Sequence, residues 1–290
     1  MRIRTALYGI LLFLQGALVI TGGAVRLTGS GLGCPTWPEC SEGSFVPVST
    51  QIEPQHQVWI EFGNRLLTFA LLLAALAVVI EVLKTRRKDL RLLAAGQVLG
   101  ILAQGVLGGI TVLTELHPIP VAGHLLLSMI LISGAASLYS RRSGPFVRTP
   151  IKSTSLRLIS GAHVAIAFLV LILGTLVTGS GPHAGDESAQ RFDFDIRNIT
   201  VLHTDSVIFL LGLTIAYLVL PGVTMATKRA LVIFLGISLG QGAIGYIQYF
   251  TGVPEILVAF HLLGAVLFWV AAWRIRLSVV RAPKIERDSQ

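Results

Sequence analysis

The chain has 290 residues, of which 53% are hydrophobic and only 13% charged, against roughly 25% charged in a soluble domain. With a mean hydropathy of +0.75, this excludes a soluble globular enzyme and predicts a polytopic membrane protein. The formal net charge of +8 raises nucleic-acid binding, but 19 of the 23 basic residues lie in alternate loops and at the two ends, so the excess reads as membrane topology with both termini cytoplasmic.

Apolar runs able to cross about 30 Å of hydrocarbon lie near residues 6–25, 58–83, 91–113, 119–139, 157–178, 199–219, 229–250 and 256–273. An all-α fold of eight transmembrane helices is expected. The first run follows "MRIR", but its length exceeds a typical signal h-region and no A-x-A site follows, so it is expected to remain as a permanent span. The loop after it carries "GSGLGCPTWPEC", with the chain's two cysteines, Cys34 and Cys40. On the outer side of a membrane these are expected to form a disulfide, with Pro35 and Pro38 favouring the turn between them.

The second span opens with "VWIEFGNRLLTF", residues 58–69. Its Glu61, Asn64, Arg65 and Thr68 share one helical face by their i, i+3, i+4 and i+7 spacing. An ionisable side chain at the bilayer centre costs roughly 2.5–3.5 kcal/mol on insertion scales, so this face is expected to turn toward a cavity. Span three runs into span four through "QGVLGGITVLTELHPIPVAGHLL" (104–126), which aligns without a gap to "QGAIGYIQYFTGVPEILVAFHLL" (241–263) with 11 identities in 23 positions. "TGSG" likewise occurs at 28–31 and 178–181. Helices 1–4 therefore repeat as helices 5–8, predicting two pseudo-symmetric four-helix bundles of the same orientation. The division is an N-terminal half (1–140), a cytoplasmic linker (141–156), a C-terminal half (157–276) and a cytoplasmic tail (277–290).

The repeat sets His124 over His261 and places His203 where Asn64 stands. These four positions are expected about 8 Å inside the outer ends of the even-numbered helices, in one layer near the outer side. Two facing histidines in an apolar four-helix unit are the usual clamp on a haem iron, so His203 and His261 are read as axial ligands of one haem. In the first half Asn64 faces His124, with Glu61 one turn before it and Arg65 beside it. The matching second-half positions are Thr200, His203 and Thr204. One closed, electron-carrying site and one open site suited to chemistry are expected. Arg65 either binds a haem propionate or anchors a helix end by snorkelling, and Arg26 is expected to be an anchor. His56 and His117 are weaker candidates for a replacement ligand, His163 is expected to be structural, and His183 solvated. Two other readings compete: a dihaem b-type electron carrier, which requires matched two-histidine sites, and a transporter, which calls for broken helices around its site.

"GGAVRLTGSGLGCPTWPEC", "IEFGNRLL", "TGSGPHAGD" and the three histidines together resemble the haem A synthase family over about residues 5–275. The resemblance implies a bacterial cell-membrane enzyme that oxidises the C8 methyl of haem O to a formyl group, giving haem A for aa-type cytochrome oxidases. It implies a haem B cofactor between His203 and His261, and substrate haem O in the N-terminal half. There Glu61 matches the family's essential carboxylate and His124 an axial ligand. Asn64 departs from the usual histidine of the family. The partners implied are haem O and haem A, membrane lipid, the farnesyltransferase that makes haem O, and an electron-transfer partner.

Overall fold

Long apolar runs interrupted by few charges leave the backbone one way to satisfy its polar groups in lipid, which is the α-helix. The structure, a computed structural model, describes residues 2–49, 51–144 and 153–280. It contains eight helices long and apolar enough to cross a membrane: α1 (Arg2–Leu27), α2 (Gln55–Lys84), α3 (Arg91–Leu113), α4 (Pro118–Ser140), α5 (Thr154–Ser180), α6 (Ile196–Val219), α7 (Met225–Thr251) and α8 (Glu255–Val280). No β-strand occurs among the described residues; the backbone pairs only in an isolated bridge between Ser41 and Ser44. Part of the expected linker (145–152) and of the tail (281–290) lies outside the described residues.

Local chemistry places the helix ends. Ser153, Asp195 and Thr224 cap α5, α6 and α7, each accepting a hydrogen bond from the N–H three residues on, which satisfies an otherwise orphan donor. Pro118 opens α4, where its missing N–H costs nothing, and His117 precedes it as the cap, accepting from Ile119 N–H. Gly252 ends α7 at φ 76°, a left-handed cap that glycine adopts without a Cβ penalty.

Within the chain's first half, α1 packs on α2 and α4, and α3 on α2 and α4; within the second, α5 packs on α6 and α8, and α7 on α6 and α8. The halves meet where α8 lies against α1 and α4, and α5 against α4. One buried cluster surrounds Tyr8, Leu71, Ala75 and Ala135; a larger one joins Met129 and Ile132 of α4 to Phe234, Trp269 and Ala272. Large apolar side chains such as Phe13, Phe69, Phe209 and Phe250 point outward, as expected where the surroundings are lipid.

Lipid gives helices no hydrophobic reason to associate, so close packing and interhelical hydrogen bonds must hold them. Gln15 donates to Gln97 Oε1 (3.0 Å), and Gln97 donates in turn to Leu131 O (3.0 Å), linking α1, α3 and α4. Across the halves, Trp269 Nε1 donates to Met129 O (2.6 Å) and Trp273 Nε1 to Ser137 Oγ (2.9 Å). Both long loops lie at one end of the bundle, joined by Gly31 N–H donating to Gly185 O (3.0 Å). This long-loop end carries the candidate site.

Candidate functional site

The four layer positions share one arrangement. A methyl group placed on Gly108 of α3 would lie 3.3 Å from His124 Cε1 on α4; on Gly174 of α5, 3.4 Å from His203 Cε1 on α6; on Gly245 of α7, 3.7 Å from His261 Cε1 on α8. On Gly22 of α1 it would lie 3.9 Å from Asn64 Nδ2 on α2. Each side chain therefore lies over a glycine of the preceding helix, where a Cβ would be tight only at Gly108 and any larger side chain would enter the space the layer residue occupies. His124 and His261 each lie six residues into their helices, His203 seven, and Asn64 nine. Asn64 is further in because α2 begins about a turn before its apolar segment.

Ring orientation is set differently at each position. His203 Nδ1 donates to Val170 O at 3.1 Å, which fixes the tautomer and leaves Nε2 as the lone-pair nitrogen. The Nδ1 atoms of His124 and His261 are buried without a partner. Gln104 steadies the His124 turn, its Nε2 donating to His124 O (3.0 Å) and Ser128 Oγ (2.6 Å). On α2, Asn64 Oδ1 accepts from Thr21 Oγ1 at 2.7 Å, which holds its amide. Half-buried imidazoles in apolar surroundings, one with a fixed tautomer and a free Nε2, fit the donor set that a haem iron takes.

Glu61 and Arg65 form the densest polar knot in the molecule's long-loop end. Arg65 Nη2 and Nε reach Glu61 Oε1 at 2.6 and 3.1 Å. Its Nη1 donates to Thr36 O and Glu39 O, and its Nη2 to Cys34 O and Thr36 O, at 2.7–3.2 Å. Cys34 N–H donates to Glu61 Oε2 at 2.7 Å. The two residues thus clamp a loop closed by the Cys34–Cys40 disulfide, and both cysteines are buried. All five N–H donors of Arg65 are consumed by the protein itself, so the expected contact with a haem propionate is available only if one of these bonds is given up. The second half has no such knot: Thr200 and Thr204 bond back to their own helix.

The remaining histidines sort by partner. His163 is fully buried, its Nε2 donating to Thr214 Oγ1 (3.0 Å) against Phe234, a packing role as expected. His183, expected to be solvated, instead has Nε2 donating to Val253 O at 2.8 Å, tying the second long loop to the α7–α8 turn. His56 is exposed. Among the described residues no group of three or more His, Cys, Asp and Glu side chains gathers as a metal cage. Sequence reasoning missed Thr21, Gln104 and the four glycines. The last were partly visible, since Gly108 and Gly245 coincide in the internal repeat.

A family model described as "Cytochrome oxidase assembly protein" (COX15-CtaA) matches residues 5–185. Proteins named haem A synthase are similar to this chain. That of Shewanella oneidensis is 33% identical over 176 residues, covering 56% of this chain and 51% of the relative. That of Geobacillus thermodenitrificans is 29% identical over 119 residues, covering 40% and 35%. That of Sinorhizobium fredii is 26% identical over 328 aligned residues, covering 91% and 87%. The chain thus aligns to about half the length of the Shewanella relative and about a third of the Geobacillus one.

Proposed function

The chain belongs to the COX15-CtaA family, and from that premise we propose that it is a haem A synthase, a multi-pass membrane oxidoreductase that converts the C8 methyl of haem O to a formyl group. The overall change, R–CH3 + H2O → R–CHO + 4 H⁺ + 4 e⁻, calls for a group that handles protons and an acceptor for electrons. The carrying observation is the asymmetry between the halves. In the first half Asn64 stands with the buried carboxylate Glu61 one turn before it on α2, whereas the second half has His203 at that place, with Thr200 and Thr204 bonded back to their own helix. This supports haem O as the substrate of the α1–α4 half and haem B as the cofactor of the α5–α8 half.

When bound, haem B supplies one-electron transfer at its iron. The protein's own groups do the rest. His203 and His261 would hold haem B, with the Val170 carbonyl orienting the first imidazole. His124 would hold the substrate haem, and the Asn64 amide, a poor iron ligand, would not take its place at the iron. Glu61 is the proton-handling group: it lies one turn from Asn64 on the same face of α2, and a proton relay there serves both hydroxylation and loss of water from a geminal diol.

The glycine seats at four matching places, together with the sequence repeat, support two pseudo-symmetric units divided near residues 140 and 157. The basic loops support cytoplasmic termini, with the haem layer near the outer side of a bacterial cell membrane, where a disulfide persists. Haem O is poorly soluble, so transfer from its farnesyltransferase within the membrane follows, with a further membrane partner accepting the electrons.

The test is co-expression with a haem O-producing farnesyltransferase in a host lacking haem A, followed by mass identification of the extracted haems. Haem A in the extract is expected. Folded protein holding haem B with haem O unaltered, in the presence of a competent electron partner, would instead assign the chain to dihaem electron transfer.

A further inference from the structure

We propose that Arg26 is the anchor for a propionate carboxylate of the haem held in the α1–α4 half, bound in the cavity where α1, α4 and α5 meet; this rests on the haem reading above. Arg26 stands four residues after Gly22, the seat of Asn64, and so on the same face of α1, about 6 Å nearer the long-loop end. The cavity it lines has a volume of about 40 Å³ and is walled by Val121 and Leu125 of α4, Thr175 and Thr178 of α5, and Gln190 of the second long loop. Val121 precedes His124 by three residues and Thr178 follows Gly174 by four. All three helices therefore place the cavity one turn beyond the layer that seats Asn64, His124 and His203. A porphyrin held by that layer would carry its carboxylates to this depth when they turn toward the polar end of the bundle.

The donor inventory singles out Arg26. Its Nη2 donates to Thr178 O at 3.2 Å, while its Nε is buried and has no partner. The ion pairs of the described residues are Arg4–Glu81, Arg65–Glu61 and Arg87–Asp89, so no carboxylate among them lies within 4 Å of Arg26. Its charged neighbour is Arg191, itself occupied by the carbonyls of Ala189, Gln190 and Pro182. Two cations at a partly buried junction, one with a buried free N–H and neither in an ion pair among the described residues, form a site for an oxyanion. Arg65 cannot serve, because its donors are spent on Glu61 and the disulfide loop. About 40 Å³ exceeds the space one water needs and admits a carboxylate group.

The same chemistry would hold the phosphate of an anionic lipid, and the experiment separates the two. Full-length protein from a haem-deficient host, in nanodiscs, is titrated with haem B and with its dimethyl ester, whose propionates are blocked, and the spectral step without two-histidine ligation is followed. Arg26→Gln is expected to weaken haem B about tenfold or more and to leave the ester unchanged; Arg26→Lys, which keeps the charge without the fork, is expected to fall between. Equal weakening of both ligands would assign Arg26 to packing, and no weakening of either would remove it from the site; each overturns the proposal. Native mass spectrometry of the same samples reads the lipid. An anionic phospholipid lost from Arg26→Gln while haem affinity holds would overturn it in favour of a headgroup. A parent protein that binds no haem would sink the haem reading itself, which is a different result from Arg26→Gln binding as the parent does.

Discussion

Replacing Arg65 with methionine keeps the length of the side chain and removes the whole clamp on the first long loop. The change strands Glu61 Oε1, on a side chain only 8% exposed, and frees the carbonyls of Cys34, Thr36 and Glu39 from their donors. Breaking one partner of a buried pair costs about 3–5 kcal/mol; because Cys34 N–H still donates to Glu61, the lower figure applies. At roughly 1.4 kcal/mol per tenfold, about 3 kcal/mol makes local opening of the loop on the order of 100-fold more frequent. The assay is hydrogen–deuterium exchange by mass spectrometry in nanodiscs, comparing the peptide around residues 30–45 with one from α4. The Cys34–Cys40 disulfide stays in place, so the difference reads the clamp rather than an untethered chain. Exchange in that peptide should rise by about two orders of magnitude while α4 is unchanged, and Arg65→Lys should give an intermediate rise, since an ammonium cannot span the carbonyls and the carboxylate together. Unaltered protection in Arg65→Met would refute the claim that this guanidinium holds the loop.

Asn64→His places a second imidazole opposite His124 and should turn the substrate-site spectrum to six-coordinate low spin; an unchanged absorption and paramagnetic-resonance spectrum in substrate-loaded protein would mean that Asn64 does not face the iron. Glu61→Gln keeps one of the two acceptor oxygens that Arg65 and Cys34 N–H use and cannot exchange protons, so haem O oxidation should fall at least about 100-fold with loop protection only partly retained, and full activity would remove Glu61 from proton handling. A methyl on Gly174 would meet His203 Cε1 at 3.4 Å, an ordinary contact, so Gly174→Ala should retain haem B. Gly174→Leu should displace the ring and lose most of the bound haem, as judged by the pyridine haemochrome; retention of a full complement would show that the glycine seat does not position the ligand.

Much of this protein was legible from residue order alone. Eight spans, the reach of all but the last to within about four residues, the Cys34–Cys40 pairing and the correspondence of His124 with His261 all follow from local or periodic properties, while α8 runs on to Val280, seven residues past its expected end. Lipid demands long apolar helices, caps stop them, and a repeat carries register from one half to the other. Sequence could name Glu61, Asn64 and Arg65 as one helical face, because 3.6 residues per turn determines that without a partner. It could not say what the face meets. Arg65 turning to the carbonyls of Cys34, Thr36 and Glu39, Thr21 holding the Asn64 amide, His183 reaching Val253, and Arg26 left with a buried free donor each join residues far apart in the chain. A guanidinium looks the same in sequence whether its five donors are spent or spare, and only the packing of loop on helix and helix on helix decides which of the two arginines has a hydrogen bond left to give.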